Sequence, residues 1–303
     1  MKQFFKNAII FKLLDESTNL DNETLEQALA EHEHRLPGSL DVSTYGFVKP
    51  LDASFAEIVM GITVLAAKHS WRDLPPSVIN EQVEEKAKAI AETESRTVGR
   101  KERQNLKDEV IFSLLPKAFI KHRITYAMTF GEYLIVDSGS AKEAEEFCSK
   151  LREALGSLRC IPLHTKDIPT QVMTHWITNG VQSERLELGD SCSLAGAKDG
   201  RVIRCRNQDL GADEFISHVN SGMYVEKISL ALKDSITFDI DDSLRIKRIS
   251  FDDVMLERVN DENPETKRDS CIAGLLITAE VLKDLIEHIH TEFGREENEK
   301  VAA

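Results

Sequence analysis

Between Pro76 and Pro116 the chain runs through helix-forming residues with no proline, and Gly99 is the one obvious weak point. A stretch of this length predicts one very long helix or two shorter ones. Ile79, Val83, Ala87 and Ile90 recur at spacings of four and three, as do Leu106, Val110 and Leu114 at four, so each end carries an apolar stripe. The middle, TESRTVGRKERQN, has almost no apolar residues. A helix that is polar all round in its middle projects from the body, spans a gap between parts of the molecule, or turns there.

The same stretch is where positive charge collects. Between Arg96 and Arg123 there are eight basic residues (Arg96, Arg100, Lys101, Arg103, Lys107, Lys117, Lys121 and Arg123) against Glu102, Asp108 and Glu109, a local net of +5. The whole chain of 303 residues, with 52 acidic and 38 basic side chains, has a formal charge of −14. Bulk charge alone therefore argues against nucleic acid or an anionic membrane as partner, but only if the charge is evenly spread. Arg96, Arg100, Arg103 and Lys107 follow one another at four, three and four, which on a continuous helix makes a basic stripe about 16 Å long. That is roughly half a turn of duplex DNA, so a phosphate backbone could follow it. The other reading is a solvated helix face held by i,i+4 ion pairs.

A second cluster, KDGRVIRCRNQDL, sets Lys198, Arg201, Arg204 and Arg206 on or beside a predicted strand, where 204 and 206 point to one side and Gln208 continues it. Such donors suit phosphate oxygens, although a charged outer sheet face is a common use of the same pattern. Arg245 and Lys247 repeat it weakly, and Lys68 and Arg72 in AKHSWR are further candidates.

The remaining chain reads as α+β, with mixed sheets and a long projecting helical segment. FFKNAIIFKLL is β-rich, and NLDNETLEQALAEH is a helix capped by Asn19 or Asp21. FAEIVMGITVLAAKHSW is two strands broken near Gly61. ITYAMTFGEYLIVDSGS is a hairpin turning at Gly131, followed by a helix capped by Ser140 and ending at Gly156. A short helix over PTQVMTHWITNG leads into a strand-rich part, which a helix at ADEFISHVNSG interrupts and AEVLKDLIEHIHTEF closes; GREENEKVAA reads as disordered. This divides the chain into an N-terminal α/β part (1–75), a helical projection (76–121), a strand-helix part packing with the first (122–165) and a C-terminal α+β part (166–303).

Five cysteines without a CxxC pair suit reduced thiols and a cytoplasmic protein, and neither a signal peptide nor a membrane span is expected. There is no GxxxxGK[ST] or GxGxxG loop, and no cofactor is expected. His32 with His34, and His288 with His290, are two apart and read as polar surface rather than metal ligands. FDIDDS, with Asp241 and Asp242, could hold a nuclease metal, but an acidic turn between strands accounts for it. Trp71 and Trp176 are too separate to form a base-stacking platform. The chain reads as a non-enzyme.

Taken together, LKDEVIFSLLPKAF (106–119), LIVDSGSAKEAEEF (134–147), LREALGSL (151–158) and VIRCRNQDL (202–210), with FFKN and YGFVKP nearer the start, resemble the recombination-associated RdgC family across nearly the whole chain. The resemblance implies a nucleoid-associated protein that binds duplex DNA with little sequence preference, and single strands more weakly. It also implies a closed, ring-shaped homodimer with a basic central channel that restrains RecA-promoted recombination by competing for DNA. On this resemblance Phe119 closes a dimer interface, with Pro116 ending the helix before it, while Arg204, Arg206 and Gln208 face the channel. Ordinary core burial is the alternative for Phe119. The run RDSCIAGLLITAEVLKDLI departs from the family pattern. Rival functions are an acidic regulator that touches RecA or another repair protein directly, and a metal-dependent nuclease.

Overall fold

The computed structural model describes residues 4–14, 22–197, 200–261 and 264–295. The expected caps Asn19 and Asp21, the cluster member Lys198, and most of the tail read as disordered lie outside the described residues.

The first sheet gathers strands from both sides of the helical segment. It has the order β2 (Ser43–Val48), β4 (Ile62–Arg72), β5 (Ile120–Phe130), β6 (Tyr133–Val136), β1 (Ile9–Leu13) and β7 (Cys160–Pro162), with β3 (Glu57–Val59) on β4. Alternation sends Val64, Ala66, Tyr126 and Met128 to one face and Leu65, Ala67 and Ala127 to the other. The second face is covered by α1 (Asn22–Glu31) and α4 (Ala141–Leu155) through Leu29, Ala144, Phe147 and Leu151. The first face shares the main core with α5 (Pro169–Asn179), α6 (Asp213–Asn220) and the inner side of the second sheet.

That second sheet has the order β12 (Ile246–Phe251), β11 (Ile236–Asp241), β10 (Met223–Leu232), β8 (Leu186–Gly196) and β9 (Val202–Cys205). The two sheets meet where Ala8 bridges Ile246. The expected mixed sheets are a point of correction. Among the described residues every pair of strands is antiparallel, helped by tight turns such as Met60–Gly61 and Gly131–Glu132 that return the chain beside itself, and a parallel contact occurs as the isolated bridge between Glu33 and Phe47.

Two elements were not legible in outline. The strand β2 carries Gly46, where an added Cβ would lie 2.5 Å from the His34 Cα, so only glycine lets the segment around Glu33 pair in parallel beside Phe47. The closing helix α8 (Lys267–Phe293) starts at Lys267, well before AEVLKDLI, after α7 (Asp253–Asp261), which the sequence did not suggest. Thr266 and Asp269 form a capping box at its start. Because α8 is buried on most sides, from Cys271 to Phe293, it shows little amphipathic period. Ser140 does occupy the N-cap of α4, but its side chain makes no capping bond; the Ser138 hydroxyl accepts from its N–H and donates to its carbonyl.

The segment after Pro76 is a helical hairpin. Helix α2 (Pro76–Glu94) begins with proline in its first turn, Ser95 adopts a left-handed conformation (φ 50°), and α3 (Arg100–Leu114) starts after Gly99. Ile79, Val83 and Ala87 pack against Leu106 and Val110 in a cluster separate from the other two cores. The polar middle is therefore the turn, and the two apolar stripes are each other's partners.

Candidate nucleic-acid interface

The turn alters the basic stripe. Arg96 lies in the loop before α3 rather than on that helix. Its guanidinium grips Glu94 at 2.6 Å and both carboxylate oxygens of Glu102 at 2.7 Å. These bonds raise the Arg96 pKa above its ordinary value, and the Arg96 hydrogen bond lowers that of Glu102. Arg103 is ion-paired with Glu84 across the hairpin. A continuous four-residue stripe is thus corrected to Arg100 and Lys107 on α3, with Arg96 and Arg103 engaged by carboxylates that a single-helix reading could not bring alongside. Lys86 of α2 pairs with Glu109 of α3 at 2.6 Å in the same way.

At the foot of the hairpin a 3-10 turn over Leu115–Lys117 leads into β5, whose residues 120–124 are exposed. Lys121 pairs with Asp73 at 2.7 Å and Arg123 with Glu143 at 3.2 Å. Arg72 donates to the carbonyls of Ala118 and Gly38, both at 3.0 Å, so it pins the loops around the strand ends rather than facing solvent. Lys68 stands opposite Ile124 on the neighbouring strand. The Phe119 carbonyl accepts from the Asp73 N–H at 2.8 Å, while the Phe119 side chain is 86% exposed. Core burial of Phe119 is thereby set aside: its backbone is fixed and its ring projects, in company with exposed Phe112 and Ile124.

The second sheet turns its outer face to solvent. Arg204 lies opposite Ser193 on β8, and Arg206 follows just past the end of β9; both line an open cavity of about 530 Å³ in which Lys227, Arg245 and Arg248 stand with the acidic Glu226, Asp241 and Asp242. An adjoining cavity of about 750 Å³ shares Arg206 and Arg248. Gln208 does not continue the row. Asn207 takes a left-handed turn (φ 53°), and the Gln208 amide folds back onto the Arg206 carbonyl. Lys227 and Arg248 were missed because register shifts interrupt the simple alternation of β10 and β12. The apolar series Met223, Val225, Ile228, Leu230, Leu232 holds the signal: its break between 225 and 228 marks the bulge.

Two buried carboxylates order this face. Asp239 lies 2.5 Å from both Lys227 and Arg248, and Asp241 holds Arg245 at 2.9 Å and Lys247 at 3.2 Å. Burial would push the Asp241 carboxyl up, but hydrogen bonds from Arg245, backed by Lys247, hold it below its ordinary value. By contrast Arg100, Lys107, Lys117, Arg204, Arg206 and Lys68 form no ion pair among the described residues.

A family model described as "Putative exonuclease, RdgC" matches residues 3–296. The recombination-associated protein RdgC of Pseudomonas aeruginosa is 35% identical over 300 residues, covering 95% of this chain and 98% of that protein. Its namesake in Pseudomonas syringae pv. tomato is also 35% identical with the same coverage, and that of Pseudomonas fluorescens is 33% identical over 97% and 98%. The chain belongs to the RdgC family.

In this RdgC-family chain the acidic turn does not stand open for a metal: Asp241 also accepts from the backbone N–H groups of Ser243 and Arg245, both at 3.1 Å. No group of three candidate ligands is found among the described residues. The polar-surface reading of His288 and His290 is corrected. His288 Nδ1 lies 3.1 Å from the hydroxyl of Ser183 in the loop before β8, and His290 Nε2 lies 3.0 Å from the Tyr133 hydroxyl, which ties α8 to the first sheet. Burial, with Arg295 next in size, lowers the His290 pKa. His34 likewise contacts the Ser70 hydroxyl at 2.8 Å. Trp176 is a core residue whose indole N–H donates to Glu292 at 2.9 Å. No described helix is long and apolar enough to cross a membrane.

Proposed function

We propose that this RdgC-family chain is a non-enzymatic, sequence-independent duplex DNA-binding protein. It acts as a closed homodimer in the nucleoid, binds single strands more weakly, and restrains RecA-promoted recombination by competing for DNA. The observation that carries the reading is the open outer face of the second sheet, where Arg204 and Arg206 form no ion pair among the described residues and Lys227, Arg245 and Arg248, each held in place by Asp239 or Asp241, stand beside them. On a chain of net charge −14, such segregation attracts a polyanion to one face and repels it from the rest. The projecting Phe119 supports the dimer, since its backbone is already fixed and an aromatic ring has few side-chain torsions to order when a second copy covers it.

The test is binding to linear and closed-circular duplex of one sequence across a salt series, with retention measured after a high-salt wash. Encirclement gives salt-resistant retention on circles that is lost once the circle is cut. Equal, salt-labile release from both would remove the closed ring. Phe119→Ser is expected to abolish salt-resistant retention and shift the protein towards monomer in sedimentation, with the monomer's own melting almost unchanged because the ring packs on nothing within the chain. A fully dimeric, equally retained variant would take Phe119 out of the interface.

A further inference from the structure

Two of the five cysteines meet at the edge of the first sheet. Cys148, in the middle of α4, is 3% exposed; Cys160 opens β7, pairs with Leu13 of β1 and is half-buried. Cys148 is buried in the cluster against which the Cys160 side chain packs, so the two thiols lie close enough to influence each other's ionisation. Arg152 lies one turn along α4 from Cys148. Its Nε donates to the Leu158 carbonyl at 3.0 Å and its Nη2 lies 3.9 Å from the Cys160 Sγ. A backbone carbonyl of the loop between α4 and β7 thus fixes a guanidinium beside the more accessible sulfur of the pair.

We propose that Cys160 is a peroxide-reactive modification site whose oxidised sulfur is captured by Cys148, giving a disulfide between α4 and β7. A reactive thiol needs thiolate character, some access and a neighbouring thiol to resolve it. The neighbouring Cys148 thiol, with Arg152, outweighs burial and holds the Cys160 pKa below its ordinary value, which favours the thiolate. The same proximity, together with burial, raises that of Cys148, which keeps its proton.

In the first step the Cys160 thiolate attacks one oxygen of hydrogen peroxide; the O–O bond breaks, hydroxide leaves and Cys160 becomes a sulfenic acid. In the second, the Cys148 sulfur attacks the Cys160 sulfur and the S–O bond breaks. The Cys148 proton leaves with that oxygen as water. The two thiols are oxidised by two electrons and the peroxide is reduced by two.

The molecule carries its own comparison. Cys192 and Cys205 are directly opposed across β8 and β9, but burial, with Cys205 beside it, pushes the Cys192 thiol up to about 12. Proximity alone would oxidise both pairs; the arrangement around Arg152 predicts that the 148–160 pair goes first.

The experiment treats the reduced full-length protein with a small excess of hydrogen peroxide at neutral pH, alkylates the remaining thiols and maps peptides by mass spectrometry. The expected result is loss of two of the five thiols and a reducible cross-link between the peptides holding Cys148 and Cys160. Cys148→Ala should instead accumulate a sulfenic acid on Cys160 that dimedone traps. Arg152→Ala should raise the pH midpoint of Cys160 alkylation. A 192–205 cross-link that forms first, or Cys160 consumption no faster than that of Cys205, overturns the proposal. Both of those readings come from the unmodified sequence, so no variant's folding decides the outcome.

Discussion

The helical hairpin and the outer face of the second sheet are both basic, but in opposite ways. In the hairpin the cations are dense along the sequence, yet folding brings Glu84 of α2 to Arg103, and the turn brings Glu94 and Glu102 to Arg96. On β9 the arginines are fewer, yet Arg204 and Arg206 form no ion pair among the described residues, while the sheet adds Lys227, Arg245 and Arg248, each held by Asp239 or Asp241, from strands far away in sequence. Linear charge density is therefore a poor guide to surface potential when a segment folds back on itself. What counts is which carboxylates the turn returns.

The largest expected effect tests that contrast directly. Replacing Arg204 and Arg206 together by alanine should flatten the dependence of duplex affinity on salt by about 2 in the logarithmic slope, one counterion-releasing contact per arginine. Replacing Arg96 and Arg103 together should change the slope by much less, because each already neutralises a carboxylate. A binding titration at several salt concentrations reads both. Equal losses would break the comparison and return the site to the hairpin.

A smaller effect separates the hairpin's stability from the rest of the molecule. Val110 is fully buried, but in a cluster that the hairpin builds for itself. Val110→Ala removes two methyl groups and leaves a small cavity, which costs about 2 kcal/mol. Native-state hydrogen exchange should show that loss in amides of α2 and α3 and little change in the two sheets. If the second sheet is the principal phosphate contact, the salt slope should also stay unchanged. A loss spread over both sheets would mean that the hairpin is not an independent unit.

What was legible in the sequence follows the same division. Patterns that depend on neighbours in the chain could be read: the strand break at Gly61, the hairpin at Gly131, the helix ending at Gly156 and the apolar stripes of α2 and α3. Patterns that depend on what the fold brings alongside could not. Gly46 hid a strand because its reason is the close approach of the segment around Glu33, which pairs beside Phe47. Buried α8 hid its start because apolar residues on most sides give no period. His288 and His290 looked like surface because Ser183 and Tyr133, their partners, are more than a hundred residues away. In the candidate site, Arg204 and Arg206 could be read from strand alternation, whereas Lys227 and Arg248 lie beyond register shifts that alternation does not anticipate.

The finest test reverses the neutralisation instead of deleting cations. Glu84→Gln keeps the size of the side chain and removes the carboxylate that holds Arg103. The pair is exposed, so losing it should cost stability no more than about 1 kcal/mol. If pairing within the hairpin is what keeps Arg103 from phosphate, the freed guanidinium should tighten duplex binding a few-fold at low salt and steepen the salt slope by at most about 1. The gain should vanish in a Glu84→Gln, Arg103→Gln double variant. Unchanged affinity would mean that the hairpin surface never approaches the DNA backbone, and its cations would then serve only to hold α3 against α2.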